Sequence, residues 1–164
     1  MTTEDTHVAT GPDAVPAPVP EGSIVVGHDG SDCSDHALTE ALELAAELKA
    51  PVVVVRTWTI DTAPRPTDWE FGYVSSFAEY AASVEASLRK DVAPLAAAFP
   101  AVSVGYRVAH SGAAKGLIEI SHFARMLVVG SRGHGGFTGM LLGSVSDQCV
   151  RHSSCPVLVV RPRR

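Results

Sequence analysis

Short runs of consecutive apolar residues alternate along this chain with segments whose apolar residues recur every three or four positions. The runs are SIVVGH (23–28), VVVVRT (52–57), VSVGYRV (102–108), MLVVG (126–130) and PVLVVR (156–161). Consecutive rather than alternating apolar residues mark strands covered on both faces. Between them, Leu38, Ala41, Leu42, Ala45 and Leu48 repeat at helical spacing, as do Phe77, Tyr80, Ala81, Val84 and Leu88. GAAKGLIEISHFA predicts a third helix and SVSDQCVRHS a fourth. Ser31 or Asp32 can cap the first helix and Pro51 stops it. Pro94 lacks a donor for the helical ladder, so it should kink or end the second.

Strands that alternate with helices require crossovers, which means a parallel sheet covered by helices. Right-handed crossovers restrict it to a doubly wound α/β fold. Such sheets take ligands beyond the C-terminal strand ends, where the winding reverses. The loops after the first and fourth strands are therefore the places to look. A long connection, 58–74, precedes the second helix; its Trp58, Trp69, Phe71 and Tyr73 either pack on that helix or cover the site. Residues 1–22 carry Pro12, Pro16, Pro18 and Pro20 without apolar periodicity and read as a flexible tail, leaving one domain at 23–164.

Composition narrows the function class. The chain has 164 residues, 46% hydrophobic and 19% charged, with a net charge of −5. That balance argues against non-specific binding to nucleic acid or to an anionic membrane. No apolar run approaches the roughly 20 residues of a membrane span. The start, MTTEDTHVAT, lacks the basic and apolar regions of a signal peptide, so a cytoplasmic protein is expected. The three cysteines, Cys33, Cys149 and Cys155, form no CxxC pair and read as reduced, partly buried thiols. The histidines show no metal-ligand spacing, and no nucleophile–base pattern stands out.

The fourth strand opens into GSRGHGGFTGMLLGSVS, which holds six of the chain's fourteen glycines. Its frame is Gly130-x2-Gly133-x9-Gly143-Ser144, from a buried strand to a helix start. Glycine permits positive φ and close approach of backbone to a ligand. Free N–H groups at a helix N-terminus attract an anion, and Ser144 sits where an N-cap belongs. An anion site, for phosphate, follows. Arg132 and His134 would be cations or donors beside it, unless they are merely solvated. Walker chemistry is excluded because no lysine lies in 130–146, and GxGxxG fails because Thr138 stands at its third glycine.

GSRGHGGFTGMLLGSVSDQCVRHSSCPVLVV resembles the C-terminal signature of the universal stress protein family, whose nucleotide-binding subgroup carries G-x2-G-x9-G-[ST]. IVVGHDGS resembles the family's opening strand and acidic turn. The resemblance spans nearly all of 23–164 and implies a five-stranded parallel sheet of order 3-2-1-4-5. It further implies ATP as ligand: Asp29 on the adenosine portion, backbone near Thr57 on adenine, and Gly130, Gly133, Gly143 and Ser144 on ribose and phosphates. Val145 and Ser146 fall where the family adds contacts to the phosphate tail. Magnesium or manganese would be held mainly through the phosphates. His28 departs from the small apolar residue common there, and Arg125-Met126 from an acidic-apolar pair.

The resulting expectation is an adenine-nucleotide-binding stress-response protein acting as a sensor or binding module. A slow ATPase or self-phosphorylating protein, a cyclic AMP binder and a nucleotide-free partner-binding dimer are the alternatives. The last strand lies at the sheet edge in the implied order and carries no charge before Arg161, so a homodimer through that edge is expected.

Overall fold

The computed structural model describes residues 7–8, 17–64, 76–134 and 141–162. In chain order its elements are β1 (His7–Val8), β2 (Ile24–Gly27), α1 (Asp32–Leu48), β3 (Val52–Trp58), α2 (Phe77–Ala96), β4 (Val104–His110), α3 (Ala113–Ile120), β5 (Met126–Gly130), α4 (Ser144–His152) and β6 (Val157–Val160). The sheet runs β1-β4-β3-β2-β5-β6, and every neighbouring pair is parallel. Without the two-residue β1, this is the order 3-2-1-4-5 of a doubly wound sheet. β1 itself was not legible. His7 and Val8 pair with Arg107 and Val108 at the outer edge, and two residues carry no periodicity. Val19 is also buried, so packing begins ahead of the expected boundary at 23.

α1 and α2 start where a side chain satisfies free N–H groups of the first turn. Ser31 caps α1 by accepting from the Ser34 N–H, and the helix ends at Lys49 in the left-handed region, φ 52°, ahead of Pro51. Ser76 and Glu79 form a reciprocal capping box at the start of α2. Pro94 does not end α2, which runs two residues further to Ala96. This close to the terminus, the missing donor removes one bond of the last turn. α3 is shorter than expected: it stops at Ile120, and Ser121 to Ala124 turn instead, with the Ala124 N–H donating to the Ser121 carbonyl.

Alternate strand residues feed two cores, one on each face of the sheet. Ile24, Val26, Val52, Val54 and Val128 pack with Leu38, Leu42, Val84, Leu88 and Val92 of α1 and α2. Val25, Val53, Val55, Leu127 and Val129 pack with Leu117, Ile120 and Cys149 of α3 and α4. Burial on both faces is why the strands read as unbroken apolar runs. Trp58 belongs to the first core. It stacks near Tyr80 and lies 4.9 Å from Phe77 and 4.8 Å from His110, centroid to centroid, so it packs on α2 rather than covering the site. Trp69, Phe71 and Tyr73 lie outside the described residues. Among the described residues, no helix is long and apolar enough to cross a membrane.

The α1 stripe gives a graded test. Leu42 is 0% exposed, whereas Leu48, one end of the same stripe, is 38% exposed. Leu42→Ala should cost about 2–5 kcal/mol in chemical denaturation. Leu48→Ala should stay within about 0.5 kcal/mol of the parent.

Candidate functional site

β2 pairs with β5 in the middle of the sheet, Val26 opposite Val128. From these two strands the winding departs to opposite sides, so their C-terminal ends diverge over a gap. A cavity of about 540 Å³ occupies it. Every site residue expected from the sequence borders this cavity. Asp29 comes from the end of β2 and Thr57 from β3. Gly130, Arg132, Gly133, His134, Gly143, Ser144, Val145 and Ser146 come from the segment joining β5 to α4. Residues 135–140 of that segment lie outside the described residues. The sequence did not reveal the opposite wall, where Val55, Ala113, Leu117 and Val129 give the cavity an apolar side. Leu117 reads as an ordinary core position of α3, and only the packing of α3 on β3 turns its flank toward a cavity. That approach needs Gly116, because a Cβ there would lie 2.7 Å from Thr57 Cγ2.

Asp29 anchors the polar side. Partial desolvation pushes its carboxyl up. Donation by the Ser31 hydroxyl and N–H and by Ser34, with the nearby His134, outweighs this and holds the carboxyl below its ordinary value. It is therefore an anion at neutral pH. The Ser31 N–H and hydroxyl both donate to Oδ1. The loop after β5 closes on the same residue: the His134 N–H donates to Asp29 Oδ2 at 3.3 Å, and His134 Nε2 lies 2.9 Å from the Asp29 carbonyl oxygen.

The loop glycines serve close approach, not unusual backbone angles. Among the described glycines only Gly22 and Gly30 have positive φ, so the expectation of positive φ at the motif is corrected. A Cβ on Gly133 would lie 2.6 Å from Asp29 Oδ2, and one on Gly130 would lie 2.9 Å from the Cys33 carbonyl oxygen. Real Cβ atoms do not sit that close, so the first positions the loop against the acid and the second seats β5 under the first turn of α1. Cys149 is on the buried face of α4, and burial, with Cys155 nearby, pushes its thiol up to about 11. It is a packing residue, inert at neutral pH.

Residues 22–161 match the universal stress protein family. The chain belongs to the universal stress protein family. It is 36% identical over 142 residues to a universal stress protein of Mycolicibacterium smegmatis, covering 85% of this chain and 46% of that protein. A Mycobacterium tuberculosis universal stress protein is 33% identical over 149 residues, covering 91% of this chain and 48% of its own. The chain thus spans about half the length of the curated relatives it matches. Among solved structures, a universal stress protein in complex with cAMP is 28% identical, with a TM-score of 0.64 over 87% of this chain and 98% of that one. UspA from Lactobacillus plantarum superposes with a TM-score of 0.66 at 18% identity, over 87% and 100% of the two chains, and shows the shared fold.

The structure corrects the capping role of one serine of the universal stress protein motif and gives another a role in holding the loop. Ser144 is not the N-cap of α4; Gly143 is, and it makes no side-chain cap bond. Ser144 is the first helical residue, exposed, its hydroxyl 3.3 Å from Gln148 Nε2. Ser146 is 2% exposed, and its hydroxyl donates to the carbonyls of Ser131, at 3.1 Å, and Gly143, at 3.0 Å. It ties the two ends of the loop together from below. Ser146→Ala should lower stability by about 0.5–1.5 kcal/mol, the net worth of a buried hydrogen-bonded hydroxyl. Ser144→Ala should change it by less than about 0.5 kcal/mol. Thermal denaturation of both variants checks the ranking, and the reverse order would restore Ser144 as the cap.

Proposed function

We propose that this universal stress protein binds an adenine nucleotide, with ATP as the ligand, and acts in the cytoplasm as a sensor or binding module. The observation that carries the reading is the polarity of the cavity. Val55, Leu117 and Val129 form an apolar wall, while Asp29, Arg132, His134 and the uncapped N-terminus of α4 make the polar lining. An uncapped helix start presents N–H donors and a positive dipole end to an anion. The apolar wall suits a base and Asp29 suits ribose or base donors, with Thr57 at the adenine end. Gly130, Gly133, Gly143, Ser144, Val145 and Ser146 would surround ribose and phosphates. The volume lies within the roughly 300–1,000 Å³ of small-molecule sites.

Asp29 is the only carboxylate among the described residues lining the cavity, and it already accepts from Ser31 and His134. A magnesium or manganese ion would therefore be held through the phosphates rather than by a protein cage. Hydrolysis should be slow, because the loop offers no lysine to a transferring phosphoryl group. The cyclic AMP reading is the specific competitor, favoured by the 28% identical relative solved with cAMP. Competition between ATP and cyclic AMP for the purified protein decides between them.

Gly133→Ala should weaken ATP at least about tenfold, since its Cβ displaces the Asp29 carboxylate or the loop carrying the phosphates. Asp29→Ala should weaken adenosine and ATP alike, and Ser144→Ala should weaken ATP more than adenosine. Equal loss of both on Ser144→Ala, read by calorimetry, would overturn the placement of the phosphates at α4.

A homodimer through β6 is part of the same proposal. β6 ends the sheet. The Pro156 and Val160 carbonyls accept from Leu127 and Ser131 on the β5 side. By strand alternation, the backbone groups of Val157 and Val159 point outward, available to a second copy. Val159→Pro removes one outward donor and should shift light scattering from dimer toward monomer. Unchanged mass at the same concentration would count against this edge.

A further inference from the structure

The residue before Asp29 is a buried histidine held on every polar atom. His28 is 3% exposed. Its N–H donates to the Val55 carbonyl at 2.9 Å. Its carbonyl accepts from Arg56 Nε at 3.0 Å, and its Nδ1 lies 2.7 Å from Arg56 Nη2. Its Nε2 lies 2.8 Å from Asp35 Oδ1 on α1. Arg56 is oriented in turn by α2: Nη2 pairs with Asp91 Oδ2 at 2.9 Å, and Nη1 donates to Ser87 Oγ at 3.3 Å. One guanidinium therefore grips both the backbone and the ring of the residue that launches Asp29. The turn that follows passes close to the same group: a Cβ on Gly30, φ +86°, would lie 3.6 Å from Arg56 Nη2 and from Asp91 Oδ2 and 3.8 Å from His134 Nε2.

These contacts fix the protonation state of the ring. A guanidinium can only donate, so Nδ1 must be the acceptor and the proton sits on Nε2, directed at Asp35. A second proton would have to enter at Nδ1. It would abolish the Arg56 bond and set two cations 2.7 Å apart in a buried place.

We propose that Arg56 and neutral His28 form a positioning unit for Asp29, which protonation of His28 releases, so that acid weakens nucleotide binding through His28. The consequence for nucleotide rests on the function proposed above. The charged groups facing the ring are Asp35 from α1, Arg56 from β3 and Asp91 from α2, and a further titratable group, His134, lies across the Gly30 turn. Burial pushes the ring's pKa down from its ordinary 6.5. The Asp35 hydrogen bond opposes this, the Arg56 charge adds to it, and the Asp35 and Asp91 charges again oppose it; the net direction is down. A lowered native pKa means the unfolded chain takes up the proton first. Stability is then full above about 6.5 and falls with pH from there to the lowered native value.

The test uses His28→Asn, whose side-chain oxygen can stand in for Nδ1 as the Arg56 acceptor but does not titrate, and Arg56→Lys, which keeps charge without the fork. Affinity for ATP is measured from pH 8 to 5 on wild type and His28→Asn, so that titration of the phosphates cancels between them. The His28 ring and the Gly30 amide are followed by NMR in the free protein. Wild type should lose affinity relative to His28→Asn by up to about tenfold per pH unit below the His28 pKa. The Gly30 amide should move with the same midpoint, and the ring should show the Nε2–H tautomer at neutral pH. Arg56→Lys should weaken ATP about tenfold at pH 7.5, as loss of a two-point grip would, while remaining folded. Parallel pH profiles for wild type and His28→Asn, an Nδ1–H tautomer, or a Gly30 amide indifferent to His28 titration would each overturn the proposal. A protein that binds no ATP at any pH defeats the proposed function instead, and the Gly30 amide and ring tautomer then judge the positioning unit alone.

Discussion

The parallel pairing of β2 with β5 is the contact on which the rest of this molecule depends. About a hundred residues separate the two strands in sequence, yet Ile24, Val25 and Val26 lie opposite Met126, Leu127 and Val128. β2 leads into α1 on one face and β5 into α4 on the other, so the pairing that closes the sheet also opens the cavity. Apolar burial on both faces enforces it. A slip of β5 by one residue against β2 would move Leu127 and Val129 from the α3–α4 core into the α1–α2 core and Val128 the other way.

Close approach then does what side-chain bonding alone could not. Gly130 lets β5 run under the carbonyl of Cys33, Gly133 lets the loop lie against the Asp29 carboxylate, and Gly116 lets α3 settle onto Thr57. Each is a place where one methyl group would push two elements apart. The polar contacts follow from that proximity: His134 reaches both the carboxylate and the carbonyl of Asp29, and Ser146 bridges the two ends of the loop. The site is thus rigid at its base, where strands and buried bonds hold it, and exposed at Arg132, Gly133 and His134.

The two faces contribute differently to the site. The α3–α4 face supplies the apolar wall and the helix start that meets an anion. Among the described residues the α1–α2 face adds only Ser34 to the lining beyond the β2 end, but through Asp35, Arg56, Ser87 and Asp91 it sets where that end points. Orientation from one layer and chemistry from the other is a division available to a doubly wound sheet, because a strand at the switch point is covered by different helices on its two sides.

By itself the sequence determined the order of the elements from β2 to β6 and the parallel doubly wound class, and with the family resemblance the cluster of residues around one cavity. It could do so because these rest on local and periodic signals: strands buried on both faces read as apolar runs, a long crossover forces parallel pairing, and a motif of fixed spacing keeps its members together. The helix starts at Ser31 and Asp32 were legible for the same reason. What only the tertiary structure decided rests on distance between segments remote in sequence. Gly143 rather than Ser144 caps α4, because the chain enters that helix extended, at φ −74° and ψ 165°, with Ser146 bonded back to Ser131. The motif glycines matter for space and not for φ, which spacing cannot distinguish. β1 pairs without any pattern of its own, since parallel pairing at an edge asks only for free backbone groups. Arg56 looked like one polar residue ending an apolar strand. Its grip on His28 exists because β3 places it beside β2 and α2 lays Ser87 and Asp91 over it, a coincidence of three elements that no local signal encodes.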